Sequence, residues 1–398
     1  MSNYRKIPLE AFGEHPIIKI TKTSAIRHNY RLFCDMLAKT NTICACVMKA
    51  GIHGTDIRAS APVLYDEGCR HFFVEDLSEG IILRNLLPYQ DAKIYETGGL
   101  LRGEERYFVD YNIIPCLNCL EEIKRWNNYC DKNGRRSAVI HFDTGMNRMG
   151  LPDYEVEQFR ADFGKLTSEF DIEFYMSHFY DIKSEDISSC YKQAKILDEY
   201  LVGLPKRPIS FHATDSAVML RDKGLNFDIA RIGIGLVGGG PSIDRIIDPT
   251  SEMSVEYYTK LSQVKRVKKG DTIGYAGAYV AKRDMKIALA HVGYNDGYLR
   301  YLSETDKKPM GAYMAVCGYK TPVVGKISLG VTTIDVTDVP EEVLSDAICA
   351  EVIGPNVDAR VLAEISGCYE VFGSLGRPNV KTAEYTETEI EKLAEAYL

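Results

Sequence analysis

The first half of this 398-residue chain alternates short apolar runs with amphipathic stretches, and this alternation limits the possible folds more than any other feature. Eight runs have the length and composition of buried strands, each about one helix length from the next, at 42–48, 71–74, 92–96, 112–117, 138–142, 172–176, 208–212 and 227–231. Repeated β–α units imply parallel strands. Eight units fit a closed (β/α)8 TIM-type barrel, with an open doubly wound sheet as the alternative.

The placement of polar residues favours the barrel over the open sheet. Lys49, Arg148, His178 and Ser216 each follow one of the apolar runs, and Arg231 ends the last of them. The carboxyl ends of the strands are the place where barrels of this kind build their active sites. We therefore predict that these five side chains belong to one site.

The pattern changes from about residue 248 onward. Strand-like segments follow one another there, joined by Gly, Asp-Gly and Lys-Lys-Gly turns. We therefore predict an α/β + β chain. Its barrel covers residues 18–247, and its C-terminal, mostly β domain covers residues 248–398 and takes in an N-terminal strand from residues 1–17.

Composition excludes several classes of protein. The chain has 48 Lys and Arg against 56 Asp and Glu, a net charge of −8, which argues against nucleic acid as a partner. The longest nearly apolar run, 232–240, falls far short of the ~20 residues that cross a bilayer. With no signal-peptide pattern at the N-terminus, we expect a cytoplasmic protein that does not bind membranes.

The cysteines fit a reducing compartment. There are 11 of them, spaced without a repeating frame, and most are expected to be free thiols. The pair Cys116 and Cys119 has Cys-x-x-Cys spacing, but no second pair or histidine partner follows at the spacing of a zinc site. We predict no metal.

Single residues leave their roles open. Lys49 is either a lysine whose stem lies along the apolar surface or a desolvated amine able to form a Schiff base. The glycine-rich run 232–241 is either a phosphate-binding loop or a turn-rich domain junction. Ser216 is either a phosphate ligand or a helix N-cap. Arg231 either pairs with a carboxylate or contacts a ligand, and Arg148 has the forked geometry that binds a carboxylate.

Together, these segments resemble the alanine racemase family of fold-type III enzymes that use pyridoxal 5′-phosphate (PLP). The resemblance spans roughly residues 14–380. It is carried by VMKA at 47–50, DTGMNR at 143–148, MSHF at 176–179, DSA at 215–217, RIGI at 231–234, GYNDGYLR at 293–300, DVTDVP at 335–340 and YEV at 369–371. Each match is short, but their common order along the chain is specific.

The resemblance implies a two-base, PLP-dependent amino-acid racemase, an isomerase that converts L-alanine to D-alanine. Lys49 would hold the cofactor and act as one base. Tyr294, supplied by the second subunit of a homodimer, would act on the opposite face. A base is needed on each face because the α-proton leaves one side of the substrate and returns on the other.

The resemblance also implies ligands for the cofactor and the substrate. Arg231 would face the pyridine nitrogen and keep it unprotonated, since arginine does not readily release a proton. His178 would support Arg231. Arg148 would support the cofactor's phenolic oxygen and the substrate carboxylate, and Leu329 would lie beside that carboxylate. The phosphate would be held by Ser216, Gly233, Ile234 and Tyr369.

The sequence departs from the family pattern close to these residues. His53 replaces the tyrosine that reaches the phosphate, and His141 replaces a lysine that is often carbamylated. Gly330, after Leu329, replaces an aspartate, and Ile232 replaces a proline. Either these changes compensate one another in an alanine racemase, or they adapt the pocket to another amino acid.

Four further functions stay open, and one of them is a pseudoenzyme that keeps the fold but has an altered pocket. A racemase or epimerase of a bulkier or polar amino acid would keep the same machinery. A PLP-carrier protein shares the barrel but usually lacks the β domain. A fold-type III decarboxylase has both domains but lacks the motif that contains Tyr294.

Overall fold

The computed structural model describes residues 4–182, 186–211, 216–240, 250–367, 374–375 and 381–397. The chain begins with a short helix, α1 (Leu9–Phe12), and a strand, β1 (Ile17–Thr21). Two eight-stranded sheets follow from the pairing of the strands, and β1 belongs to the second of them. The domain boundary predicted at 247–248 falls within 241–249, outside the described residues, and stays a prediction.

The first sheet is a nearly closed barrel of parallel strands. Its strands are β2 (Ile43–Val47), β3 (His71–Val74), β4 (Lys93–Glu96), β5 (Ile114–Leu117), β6 (Arg136–His141), β7 (Phe170–Ser177), β8 (Ile209–Phe211) and β9 (Ile229–Ile232). They pair in the order β8-β7-β6-β5-β4-β3-β2-β9. The Asp228 N–H donates to the Ile209 carbonyl (2.9 Å), and the Ser210 hydroxyl donates to the Ile229 carbonyl (3.1 Å), so β8 also meets β9. The barrel prediction is confirmed, and the open sheet is wrong.

Both faces of the barrel strands are buried, which explains why they read as apolar runs. Phe73, Tyr95 and Phe174 pack in a cluster inside the barrel, with ring centroids 4.8 Å apart for Phe73–Tyr95 and 5.0 Å for Tyr95–Phe174. The adjacent residues Phe72 and Ile94 point the other way and pack in the cluster that includes the helices. The interior is therefore filled, and the site must lie at a rim.

Helices alternate with the barrel strands. They are α2 (Thr23–Ala38), α3 (Lys49–Gly54), α4 (Ile57–Asp66), α5 (Leu77–Leu86), α6 (Glu105–Asp110), α7 (Leu120–Asn133), α8 (Asp153–Ala161), α9 (Phe163–Leu166), α10 (Ser188–Leu201) and α11 (Ser216–Leu220). Two begin at aspartate N-caps: the side chains of Asp56 and Asp76 accept from the N–H groups of Arg58 and Glu79.

The second sheet and its helices form the mostly β part. Its strands and hairpin are β10 (Val255–Val267), β11 (Thr272–Ile273), β12 (Tyr279–Val280), β13 (Met285–Ala290), β14 (Tyr313–Val316), β15 (Tyr319–Pro322), β16 (Thr332–Asp335), β17 (Cys349–Ile353) and β18 (Thr382–Thr386). The helices are α12 (Glu341–Asp346), α13 (Ala359–Ser366) and α14 (Glu387–Tyr397). The predicted β character of this region is confirmed.

Strand β1, near the N-terminus, is hydrogen-bonded into the sheet of the C-terminal part. It pairs antiparallel with β10, with Ile17 opposite Thr259, and parallel with β18, with Ile17 opposite Thr382. The main path of this sheet runs β15-β14-β17-β10-β1-β18, and β13 joins β10 to β16. Within the described ranges, no helix is both long and apolar enough to cross a membrane.

Candidate active site

The predicted site residues of the barrel converge at the carboxyl ends of its strands. Lys49 follows β2, His178 follows β7, and Arg231 lies in β9. The pKa of the Lys49 amine is lowered by burial and by the charges of Arg231 and Arg148, whereas Glu75 raises it. Lys49 makes no hydrogen bond or ion pair within the described part of the chain. Its amine is therefore partly desolvated and available to react.

Lys49 is held at the start of a left-handed turn that sequence reasoning missed. The four residues after it, Ala50, Gly51, Ile52 and His53, have φ between 48° and 63°. This conformation costs roughly 1–2 kcal/mol per residue that carries a side chain. Glu79 fixes the turn by accepting from the Ala50 N–H (2.7 Å). Such strain is maintained where the surroundings require one backbone path.

His53, at the end of this turn, lies against the glycine-rich segment that follows β9. A Cβ atom at Gly233 would sit 3.1 Å from His53 Nε2 and 3.5 Å from Val47 Cβ, so only glycine leaves this space open. Burial and the Lys49 charge lower the pKa of His53 to about 4. Ile234 begins the 3-10 turn Ile234–Val237 directly after this contact.

Arg231 is buried on the floor of the site. Its Nη2 donates to the Ser177 carbonyl (2.7 Å), its Nη1 contacts Met176 Sδ (2.8 Å), and its Cζ lies 5.8 Å from the centre of the Phe73 ring. Burial lowers its pKa to about 10. Burial and the Arg231 charge hold the pKa of His178 well below its usual value, so His178 is neutral beside this cation.

Arg148 is carried by a tight loop. The Asp143 carboxylate accepts from three consecutive backbone N–H groups, those of Gly145 (2.9 Å), Met146 (2.9 Å) and Asn147 (3.1 Å). Arg148 itself is exposed, and its guanidinium makes no hydrogen bond to any residue that the structure describes. Its charge nevertheless contributes to the lowered pKa values of Lys49, Arg231, His141 and His178.

His141 lies buried behind these arginines, at the end of β6. Its Nδ1 is 2.8 Å from Asn118 Oδ1. Burial, followed by the charges of Arg231, Arg148 and Lys49, lowers its pKa to about 3. Sequence reasoning singled out His141 but missed Asn118. The position of Asn118 directly after β5 was the sequence signal that could have identified it.

The remaining predicted residues lie elsewhere or outside the described residues. Tyr294 and Leu329 lie on loops of the β part, where the Tyr294 N–H donates to the Ser328 carbonyl (3.2 Å). Their side chains are 41% and 57% exposed, and none of the described contacts joins either to Lys49. Ser216 begins α11. Tyr369 lies outside the described residues.

A lysine occupies the space beside Gly330. A Cβ atom at Gly330 would sit 3.1 Å from Lys381 Nζ, and Lys381 Nζ lies 3.3 Å from the buried carboxylate of Asp296. Asp296 also accepts from the Gly293 N–H (2.9 Å), next to Tyr294. The loss of the aspartate at 330 thus leaves a cation near the Tyr294 loop, a contact that the sequence did not indicate.

Comparisons with known proteins agree with this architecture along the chain. Residues 21–241 match the family model described as alanine racemase, N-terminal domain, and residues 254–381 match alanine racemase, C-terminal domain. The alanine racemase of Brucella ovis is 32% identical over 378 residues, covering 91% of this chain and 92% of that protein. The biosynthetic alanine racemase of Agrobacterium fabrum is 30% identical over 374 residues, covering 92% and 93%.

Solved structures give the same result. Alanine racemase from Bartonella henselae, with covalently bound PLP, superposes with a TM-score of 0.81 at 26% identity and covers 93% of this chain and 99% of that one. Alanine racemase from Streptomyces coelicolor has a TM-score of 0.83 at 20% identity, covering 95% and 99%, which shows the common fold. Because both domains and nearly the whole length match, the chain belongs to the alanine racemase family.

Proposed function

We propose that this protein is a PLP-dependent racemase that interconverts L- and D-alanine. The observation that carries the proposal is a desolvated amine, Lys49, whose pKa is lowered by the charge of buried Arg231 at the rim of a barrel whose family is that of alanine racemases. Arg148 adds a cation with free donors for the substrate carboxylate. Neutral His53, His141 and His178 leave these three cations, together with Glu75 beside Lys49, as the main charges of the site.

The residues present fit PLP. A primary amine of lowered pKa faces the site, and the space at Gly233, which a Cβ would fill, leaves room for a phosphate beside His53. Lys49 would hold the aldehyde carbon, Arg231 the ring nitrogen, and Gly233, Ile234, Ser216 and Tyr369 the phosphate. When bound, PLP supplies an electron sink for negative charge at the substrate α-carbon.

The protein's own groups supply the proton transfers. Lys49 is proposed to remove or return the α-proton on one face, since burial leaves its amine less basic than an exposed lysine. Tyr294 is proposed to do the same on the other face. Arg231 holds a positive charge opposite the ring nitrogen and disfavours its protonation, which limits charge delocalisation and side reactions.

We further propose a homodimer in which Tyr294 reaches the partner's site. Tyr294, Leu329 and Tyr301 are 41%, 57% and 69% exposed, and exposed large apolar side chains of this kind are typical of an interface. The Arg300 Cζ atom lies 5.3 Å from the centre of the Tyr294 ring. A cytoplasmic location is supported by the ten described cysteines, all free thiols.

A second substrate class is favoured by the cation beside Gly330. Lys381, paired with Asp296, stands next to the loop of Tyr294 where the family pattern has a carboxylate, and the missing carboxylate at 330 makes a polar or acidic amino acid the alternative substrate to alanine.

One experiment separates the two substrate classes. The exchange of the α-proton in heavy water is followed by NMR across a panel of L-amino acids, with PLP added. Exchange with inversion confined to alanine supports the proposal. Inversion of a polar or acidic amino acid instead makes the Gly330 region the specificity determinant. Absence of exchange on every amino acid, in protein that binds PLP, would reject racemisation and favour a carrier.

A further inference from the structure

We propose that Glu75 is a specificity-determining residue whose carboxylate binds the cationic side chain of a basic amino acid in the racemase site. The inference rests on the proposed function. Within its second substrate class, the inference selects polar amino acids with a positively charged side chain, such as lysine and ornithine, over acidic ones. Three observations support it: the place of Glu75 in the barrel, its exposed carboxylate and the balance of charge around it.

The pairing of β2 with β3 places Glu75 beside Lys49. These parallel strands are in register with Val47 opposite Phe73, and the Met48 N–H donates to the Phe73 carbonyl (2.7 Å). Lys49 comes two residues after Val47, and Glu75 comes two residues after Phe73. The two residues therefore follow adjacent strands at the same level of the barrel.

The carboxylate of Glu79 fixes these two positions relative to each other. Its Oε1 accepts from the N–H of Ala50, directly after Lys49, at 2.7 Å, and its Oε2 accepts from the Glu75 N–H at 2.9 Å. The Glu75 carbonyl is enclosed on another side, since a Cβ atom at Gly98 would sit 2.5 Å from its oxygen. One carboxylate thus spans the backbone at both positions, and the fold determines their separation.

The alternation of side chains along β3 points Glu75 into the mouth of the barrel. Phe73 packs in the cluster inside the barrel, and Val74 packs in the cluster that includes the helices. The next residue, Glu75, faces inward again. In agreement with this placement, the charge of Glu75 acts to raise the pKa values of Lys49 and His53, against the effect of burial.

Glu75 and Arg148 are two exposed charges of opposite sign at the same rim, one after β3 and the other after β6. Neither side chain makes a hydrogen bond or an ion pair with any residue that the structure describes. Strands β4 and β5 lie between them in the barrel order, so the two charges are well separated. They offer one partner for each end of a basic amino acid, its carboxylate and its side-chain cation.

The charge balance of the loaded site favours a cation beside Glu75. The charges of Lys49, Arg148 and Arg231 are matched by the PLP phosphate and the amino-acid carboxylate, which together carry about three negative charges. The Glu75 carboxylate is then left without a matching positive charge. A side-chain ammonium or guanidinium group supplies that charge, whereas an acidic side chain adds a second negative charge next to Glu75.

Two pairs of amino acids test the proposal in the wild-type holoenzyme. L-Lysine is compared with L-norleucine, whose side chain has the same carbons but no ammonium group, and L-glutamate is compared with L-glutamine. We expect kcat/KM for inversion to be roughly tenfold higher for lysine than for norleucine, and lower for glutamate than for glutamine. Equal values within both pairs would overturn the proposal.

Substitutions at Glu75 test the residue itself. Glu75→Gln removes the charge at nearly constant size, and we expect the lysine-to-norleucine ratio of kcat/KM to fall roughly tenfold. The dissociation constant for lysine, read from the change in absorbance of bound PLP, should rise relative to that for norleucine. Glu75→Asp keeps the charge and most of the preference. Glu395→Gln, at an exposed glutamate of α14, is the matched control for the change in net charge.

The inference and the proposed function fail by different results. If alanine is inverted but lysine has no advantage over norleucine, the racemase activity stands and the role of Glu75 is rejected. A ratio that stays as high in Glu75→Gln as in the wild type rejects that role as well. If no amino acid is inverted by protein that binds PLP, the proposed function is rejected, and the absorbance titrations still decide whether Glu75 binds the cation.

Discussion

Burial, more than residue type, sets the protonation states in this site. Lys49 and Arg231 are cations whose pKa values are lowered, and His53 and His141 have pKa values of about 4 and about 3. All of these shifts have burial as their largest cause, and the mutual repulsion of the cations adds to it. At neutral pH the site is thus a positive pocket with uncharged imidazoles, suited to a phosphate and a carboxylate.

Replacing Lys49 tests its role as nucleophile and base. Lys49→Arg keeps the positive charge but has no amine that can bind an aldehyde, so we expect loss of the visible absorbance of lysine-bound PLP and a fall in racemisation of at least ~10³-fold. Absorbance spectra and the NMR exchange assay measure the two effects. The exposed Lys39→Arg is the control, and a retained absorbance band in Lys49→Arg would assign the cofactor to another lysine.

The buried imidazole of His141 makes stability depend on pH. Its pKa is about 3 in the folded protein against 6.5 for the exposed group, so the unfolded chain binds the extra proton as the pH falls below 6.5. The contribution of His141 to the free energy of unfolding is present above that pH. It falls by about 2 kcal/mol between pH 6.5 and about pH 5.

Urea unfolding of the cofactor-free wild type and of His141→Gln, measured between pH 6.5 and about pH 5, isolates the contribution of His141. That contribution is the difference between the two curves of unfolding free energy against pH. Wild type is expected to lose stability relative to the variant as the pH falls. Parallel curves would mean that His141 is protonated in the folded protein.

At the scale of elements, the sequence predicts the barrel well because each strand is buried on both faces and appears as an apolar run. The turn after Lys49 could not be predicted. Ala50, Ile52 and His53 disfavour positive φ, and their conformation depends on Glu79, a residue from the next β–α unit. Asn118 and Lys381 were missed for the same reason, since their importance comes from partners distant in sequence.

The loop that carries Arg148 gives an element-scale prediction. Asp143→Ala removes the acceptor of three N–H groups, so the loop loosens and we expect KM for the amino acid to rise roughly tenfold while PLP stays bound. Asp143→Asn keeps an accepting oxygen and is the matched control, with a smaller effect. Steady-state kinetics and the PLP absorbance band measure both. A loss of PLP equal to the loss of activity would place the loop's role at the cofactor instead.

At the scale of the whole molecule, the proposed bases lie on different parts of the chain. Lys49 follows the first barrel strand, and Tyr294 lies on an exposed loop of the β part with no described contact to it. Strand β1 links the start of the chain to the C-terminal sheet, directly before helix α2 of the barrel. An exposed Tyr294 on the β part is suited to serve a second copy of the chain.

Mixing two inactive variants tests this arrangement. Lys49→Ala and Tyr294→Ala are each expected to lose racemase activity when alone. If Tyr294 acts across the interface, a mixed dimer contains one site with both bases intact and one with neither. Random exchange of equal amounts makes half of the dimers mixed, so activity should recover to about a quarter of wild type. Sedimentation and a tagged subunit would verify that exchange occurred, and a lack of recovery in verified mixed dimers would place Tyr294 and Lys49 in the same chain's site.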